Sequence, residues 1–206
     1  MRVLRAGVVG NGRQGHRHAR VLESIDGVEL VAIVDPKYHS PAISGISSNQ
    51  RVATVQSVEN LIDIGVDYCV VAVPPLAQTA IALTLAEAKI PALLEKPLGV
   101  DLASSLAITA AFESRGLVAA INLIERFNPD LLELRRDFER GTLGRITAIT
   151  TVRTSSNHKP PNTEIIFDLG VHDFDITMWI TGLSYTSVET SVTSIRDRSF
   201  ANEVLI

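Results

Sequence analysis

Two sets of side chains in this chain have types and spacing suited to chemistry. The first opens with Gly10-x-Gly12-x-x-Gly15, which closes the short apolar run from Val3 to Gly10. Small residues at that spacing permit a tight turn, close approach of backbone to a pyrophosphate and close packing of the next helix. The start of that helix offers free N–H groups and a positive dipole end to a diphosphate. Asp35 stands twenty residues beyond Gly15, at the end of the next apolar run. A carboxylate there can accept hydrogen bonds from ribose hydroxyls and repel a 2′-phosphate. The pattern therefore reads as a dinucleotide site that favours NAD, while Lys37 keeps NADP open. Asn11, Arg13 and Gln14 between the glycines, Pro74 after a later strand, and Glu95 and Lys96 complete the expected cofactor contacts.

The second set comprises Lys96 and a helical stripe. Glu95-Lys96-Pro97 follows a predicted strand, so Lys96 should emerge at the carboxyl edge of a sheet, the edge where doubly wound folds bind ligands. Pro97 restricts the backbone of Lys96 and helps to aim it. Asp168, His172, Asp175 and Trp179 are spaced by four, three and four, which places them along one helical face, with Leu169, Ile176 and Ile180 expected on another. A histidine exchanges protons near neutral pH and could take a hydroxyl proton as hydride departs, with Asp175 raising its pKa and fixing its tautomer. Carboxylate and imidazole ligands could also hold zinc, but no cysteine accompanies them, and no metal is expected. His16 and His18, near the first helix start, read as surface side chains.

The elements that must carry these groups alternate. Strands are expected at 3–10, 28–34, 52–55, 68–73, 92–95 and 117–121, with helices at 15–24, 57–62, 80–88 and 101–114 between them. That alternation implies parallel pairing in a doubly wound α/β sheet. The segment His39 to Asn49 reads as an irregular excursion. Beyond a boundary near Asn122 the grammar changes. Asn128-Pro129 starts a helix whose face carries Leu131, Leu134 and Phe138, and Gly141 ends it. A strand is expected at 146–152, a polar loop with two prolines at 155–162, a helix at 166–180 and a strand at 188–195. Two domains follow, 1–122 binding the dinucleotide and 123–206 binding substrate. Glu203 to Ile206 looks like the opening of another strand, which suggests a second domain incomplete at its carboxyl end.

Composition narrows the function classes. Of 206 residues 46% are hydrophobic and 20% charged, ordinary globular usage that excludes disorder and simple repeats. A net charge of −4 leaves no broad basic surface for nucleic acid or anionic lipid. The single cysteine, Cys69, sits in a strand-like run and suits a reducing, cytoplasmic setting, and no apolar run is long enough to span a membrane.

In this order, Gly10-x-Gly12-x-x-Gly15, Asp35, Glu95-Lys96-Pro97, Glu125-Arg126-Phe127-Asn128-Pro129 and Asp168-x-Gly170-x-His172-Asp173-x-Asp175 resemble the Gfo/Idh/MocA oxidoreductases over almost the whole chain. The resemblance implies a Rossmann domain followed by an α/β domain with an open, mainly antiparallel sheet that supports homo-oligomers. It also implies that Lys96 and His172 flank a substrate carbinol beside nicotinamide, that Asp168 binds substrate hydroxyls as the third catalytic residue, and that Arg126 and Asn128 touch the substrate. The expected reaction is NAD(P)-dependent hydride transfer at a secondary hydroxyl of a sugar or nucleotide sugar. The segments around Arg126 and His172 look most like dehydrogenases of UDP-N-acetylglucosamine-type sugars. A myo-inositol or free-sugar dehydrogenase and an inactive dinucleotide-binding sensor are the alternatives. This sequence departs from the pattern at Gln78, where relatives often carry histidine, and in its short length.

Overall fold

Runs of β-branched and small apolar residues set the architecture of the computed structural model, which describes residues 2–37, 52–153, 166–197 and 200–205. The excursion expected at 39–49 and the polar loop at 155–162 lie outside the described residues. The chain divides into two compact units, Met1–Asn122 and Leu123–Ile206.

In the first unit six parallel strands alternate with helices. In chain order these are β1 (Leu4–Val9), α1 (Arg13–Glu23), β2 (Val28–Val34), β3 (Ala53–Val55), α2 (Val58–Ile64), β4 (Tyr68–Val71), α3 (Pro75–Glu87), β5 (Ala92–Leu94), α4 (Leu102–Glu113) and β6 (Ala119–Ile121). The sheet order is β3-β2-β1-β4-β5-β6, so the direction of winding reverses between β1 and β4. Apolar residues of the strands fill two cores. Ala6, Val8, Leu30, Ile33 and Val70 pack with Ala19 and Leu22 of α1. Val9, Val34, Cys69, Val71 and Leu94 pack with Leu61 of α2, Leu85 of α3 and Ile108 and Phe112 of α4.

Local chemistry starts several of these helices. The Ser57 hydroxyl accepts from Asn60 N–H at the head of α2. Asp101 and Ser104 form a reciprocal capping box on α4. The helix expected from residue 80 begins five residues earlier, because Pro75 occupies a first-turn position where its missing N–H costs nothing.

The second unit holds a 3₁₀ turn (Ile124–Phe127), α5 (Pro129–Glu139), a π turn (Ile166–Gly170), α6 (Val171–Thr181), and the antiparallel pair β7 (Val192–Asp197) and β8 (Phe200–Leu205). Residues 146–152 have strand-like alternation but form no strand, since a ladder needs a partner and none pairs with them among the described residues. On α5 the half-buried face carries Leu131, Leu132 and Phe138, while Leu134 is exposed. Arg135 also lies on that face, its guanidinium 4.4 Å from the centre of the Trp179 ring of α6. No helix among the described residues is long and apolar enough to cross a membrane.

Candidate active site

The glycine turn lies at the carboxyl end of β1, at the reversal point of the sheet. Gly10 has φ +103°, and a Cβ there would lie 2.3 Å from the Ala72 carbonyl oxygen just beyond β4. A Cβ at Gly15 would fall 1.8 Å from the Gly10 carbonyl oxygen, so α1 can start against the turn only with glycine at that position. Gly12 is different, since its φ is −79° and a Cβ would meet nothing within 4 Å among the described residues. The fold itself has no need of glycine there; an anion lying over the helix start would. No side chain among the described residues caps α1, which leaves its first N–H groups available to an anion. Beside them both amide atoms of Asn11 are shielded from solvent and lack a hydrogen-bond partner among the described residues. The cradle therefore fits the diphosphate of a dinucleotide. Arg13 and Gln14 are exposed on the first turn of α1, and Gln14 accepts from Arg17. At the end of β2, Asp35 donates its N–H to the Val55 carbonyl, and its carboxylate accepts from Lys37 N–H at 2.8 Å. Pro74 caps α3 from an exposed position next to the turn.

Lys96 is half-buried one residue beyond Glu95, on the turn that follows β5, and the Lys96–Pro97 peptide is cis. Glu95 is 9% exposed. Its Oε1 accepts from His18 Nε2 and Asn122 Nδ2, both at 2.8 Å, and its Oε2 from Lys96 N–H at 3.3 Å. Burial alone would push this carboxyl up, but the His18 and Asn122 hydrogen bonds, the His18 charge and the Lys96 N–H together hold it below the usual carboxylate range. His18 is thus a half-buried partner of Glu95 and not a surface side chain. The Glu95 carboxylate, expected at the cofactor, braces the turn from inside. On the other side of the turn lies Gln78, 1% exposed, whose Nε2 donates to the carbonyls of Glu95, Pro97 and Leu98 at 2.8, 2.9 and 3.1 Å.

In the second unit, the expected single α-helical stripe is broken into two turns of different pitch. Asp168 lies half-buried in the π turn, and His172, 8% exposed, lies in the first turn of α6. A π turn holds more residues per turn than an α-helix, so the spacing of four no longer stacks Asp168 directly on His172; such turns recur at functional sites. The buried face of α6 carries His172 and Asp175 together with Ile176 and Ile180, because 172, 176 and 180 share one helical row. The two isoleucines therefore anchor the histidine's own face, where a separate apolar face was expected.

Asp175, also 8% exposed, accepts two hydrogen bonds from Arg126, from Nε at 2.8 Å and from Nη2. This fork matches a carboxylate's geometry and ties the 3₁₀ turn to α6. Asp175 is thus held by Arg126, and Arg126, expected at the substrate, spends two of its five donors on Asp175. Arg153 adds a second clamp, reaching Asp173 through Nε at 3.1 Å and Glu125 through Nη1 at 3.1 Å. The Asn128 side chain caps α5 by accepting from Asp130 N–H at 3.1 Å. Sequence reading missed the Arg126–Asp175 and His18–Glu95 pairs, since each joins residues far apart along the chain.

Comparison with known proteins agrees with this geometry. Residues 4–123 match the family model of the Gfo/Idh/MocA oxidoreductases, described as an oxidoreductase family with an NAD-binding Rossmann fold. Inositol 2-dehydrogenase 4 of Saccharopolyspora erythraea is 35% identical over 193 residues, which span 91% of this chain and 56% of that protein. Myo-inositol dehydrogenase Hyg17 of Streptomyces leeuwenhoekii is 29% identical over 88% of this chain and 57% of its own length. The crystal structure of a probable dehydrogenase from Thermotoga maritima superimposes with a TM-score of 0.77 at 25% identity, covering 94% of this chain and 60% of that one. The chain thus spans little more than half the length of the curated relatives it matches. With its glycine cradle, its Rossmann strand order and this match over residues 4–123, the chain belongs to the Gfo/Idh/MocA oxidoreductase family and carries its NAD-binding fold.

Proposed function

We propose that this chain serves an NAD-linked dehydrogenase that oxidises a secondary hydroxyl of a cyclitol such as myo-inositol. The observation that carries this reading is its likeness to inositol dehydrogenases over about nine-tenths of the chain. That likeness favours the cyclitol over the UDP-N-acetylglucosamine-type sugar to which the motifs alone pointed. The Gly10–Gly15 turn and the start of α1 would hold NAD, with Asp35 able to accept from ribose hydroxyls, and the cofactor would supply the hydride acceptor. As the carbinol C–H electron pair leaves with its hydrogen, the imidazole of His172 takes the O–H proton and a carbonyl forms. The Lys96 ammonium donates a hydrogen bond to that oxygen as negative charge develops on it. Asp168 accepts from a neighbouring ring hydroxyl and so selects which carbinol is presented. The donors that Arg126 does not give to Asp175 face the same polyol, while Asn128 serves chiefly as a helix cap.

The test follows absorbance of the reduced cofactor with the full chain, using myo-inositol, scyllo-inositol, glucose and UDP-N-acetylglucosamine, each with NAD and NADP. Turnover of a cyclitol with NAD is expected. His172→Ala should lower kcat by about 10²- to 10⁴-fold with NADH affinity intact, as for loss of a positioned base. Turnover confined to the nucleotide sugar would overturn the cyclitol reading. NADH binding with no turnover on any substrate would overturn the enzymatic one and favour a dinucleotide sensor.

A further inference from the structure

Gln78 is a polar side chain buried inside the first unit at 1% exposure. A buried amide is tolerated only when its polar atoms are satisfied. Its Nε2 faces three carbonyl oxygens, those of Glu95, Pro97 and Leu98. Carbonyls only accept, so the amide must present its nitrogen there, since the flipped orientation would set oxygen against oxygen. The three carbonyls bracket Lys96, one residue before it and one and two residues after. Sheet pairing ends at Leu94, opposite Ile121 of β6, and Pro97 has no N–H with which the turn could close on itself. Glu95 is meanwhile braced through its carboxylate by His18 and Asn122. The lysine turn is therefore gripped by its backbone from α3 and by a side chain from the α1 side. Helix α3 starts two residues beyond Val73, whose side chain lies beside Gly10 of the glycine turn.

We infer that Gln78 is a positioning residue for Lys96, its side-chain amide fixing the turn that aims the lysine at the carbinol. The inference rests on the role given to Lys96 under the proposed function, and its test separates the two. Gln78→Met keeps the side chain's length and removes both donors; Gln78→His returns one ring N–H at the same depth. In the intact chain, acetylation of Lys96 by a small amine-reactive ester is compared with that of Lys89, an exposed lysine beyond the end of α3, by peptide mass spectrometry. That ratio requires no substrate. The Lys96:Lys89 ratio should shift several-fold in Gln78→Met and return toward the parent value in Gln78→His. With an active substrate, kcat should fall by as much as about 10²-fold, the cost of a misplaced group, while the NADH dissociation constant stays near the parent value. An unchanged labelling ratio and an unchanged kcat in folded Gln78→Met would overturn the inference. If Gln78→Met does not fold, Gln78→His decides: a labelling ratio equal to the parent's at a kcat equal to the parent's supports one N–H as sufficient, and a folded Gln78→His with lowered NADH affinity but parent labelling overturns the inference. A parent chain inactive on every substrate sinks the proposed function and leaves the labelling result to judge Gln78 alone.

Discussion

Glu95 is a carboxylate in a place where burial opposes its charge, and it stays ionised because His18, Asn122 and the Lys96 N–H face it. Its folded-state pKa is held below the unfolded value of about 4.3. The unfolded chain therefore binds the proton first as pH falls, and the stabilisation from this group is present above about pH 4.3 and lost as pH drops through the folded value. Urea unfolding of the parent chain should show a midpoint that declines below about pH 4.3, and Glu95→Gln should be less stable at neutral pH with a shallower acid decline. A parallel decline in both proteins would remove Glu95 from the account. Asp175, also buried, accepts an arginine fork in place of a histidine and an amide. Both partners were invisible in the sequence, since 77 positions separate His18 from Glu95 and 49 separate Arg126 from Asp175. By contrast the place of Lys96 just beyond a strand was legible because motif spacing is local, whereas the single helical stripe expected for Asp168 and His172 is broken by the π turn.

At the scale of elements, the glycine turn separates two demands that one motif conceals. Gly15 is required by the fold, because a Cβ would drive into the Gly10 carbonyl, whereas Gly12 leaves space that no atom of the described residues uses. Gly12→Ala should keep unfolding stability within about 1 kcal/mol of the parent and weaken NADH binding, while Gly15→Ala should lose both. Equal NADH affinity for Gly12→Ala and the parent, by fluorescence titration, would show that the space over Gly12 is not the cofactor's. Elements whose pattern is self-sufficient were read closely: β2 is a β-branched run that pairs on both sides. The start of α3 was misplaced because Pro74-Pro75 punctuates a strand but also opens a helix. Residues 146–152 alternate like a strand, yet pairing is a property of a neighbour and not of the segment itself. The π turn before α6 was unreadable because a single turn of five residues is too short to show an apolar period of its own.

On the scale of the whole molecule, the first unit is a parallel sheet covered on both faces, with Cys69 near its middle strand pairings. The thiol is fully enclosed, and burial pushes its pKa up to about 12. Native chain should resist a chromogenic disulfide reagent at pH 8, and the slow reaction that remains should accelerate with urea in step with unfolding of the sheet. Rapid labelling of the folded chain would show that the strands around Cys69 part far more readily than their packing implies. Because the sequence holds one cysteine, that sulfur gives a single-channel gauge of how often β1, β4 and β5 come apart. A nucleotide that grips the ends of those strands should slow the gauge without ever touching the atom being read.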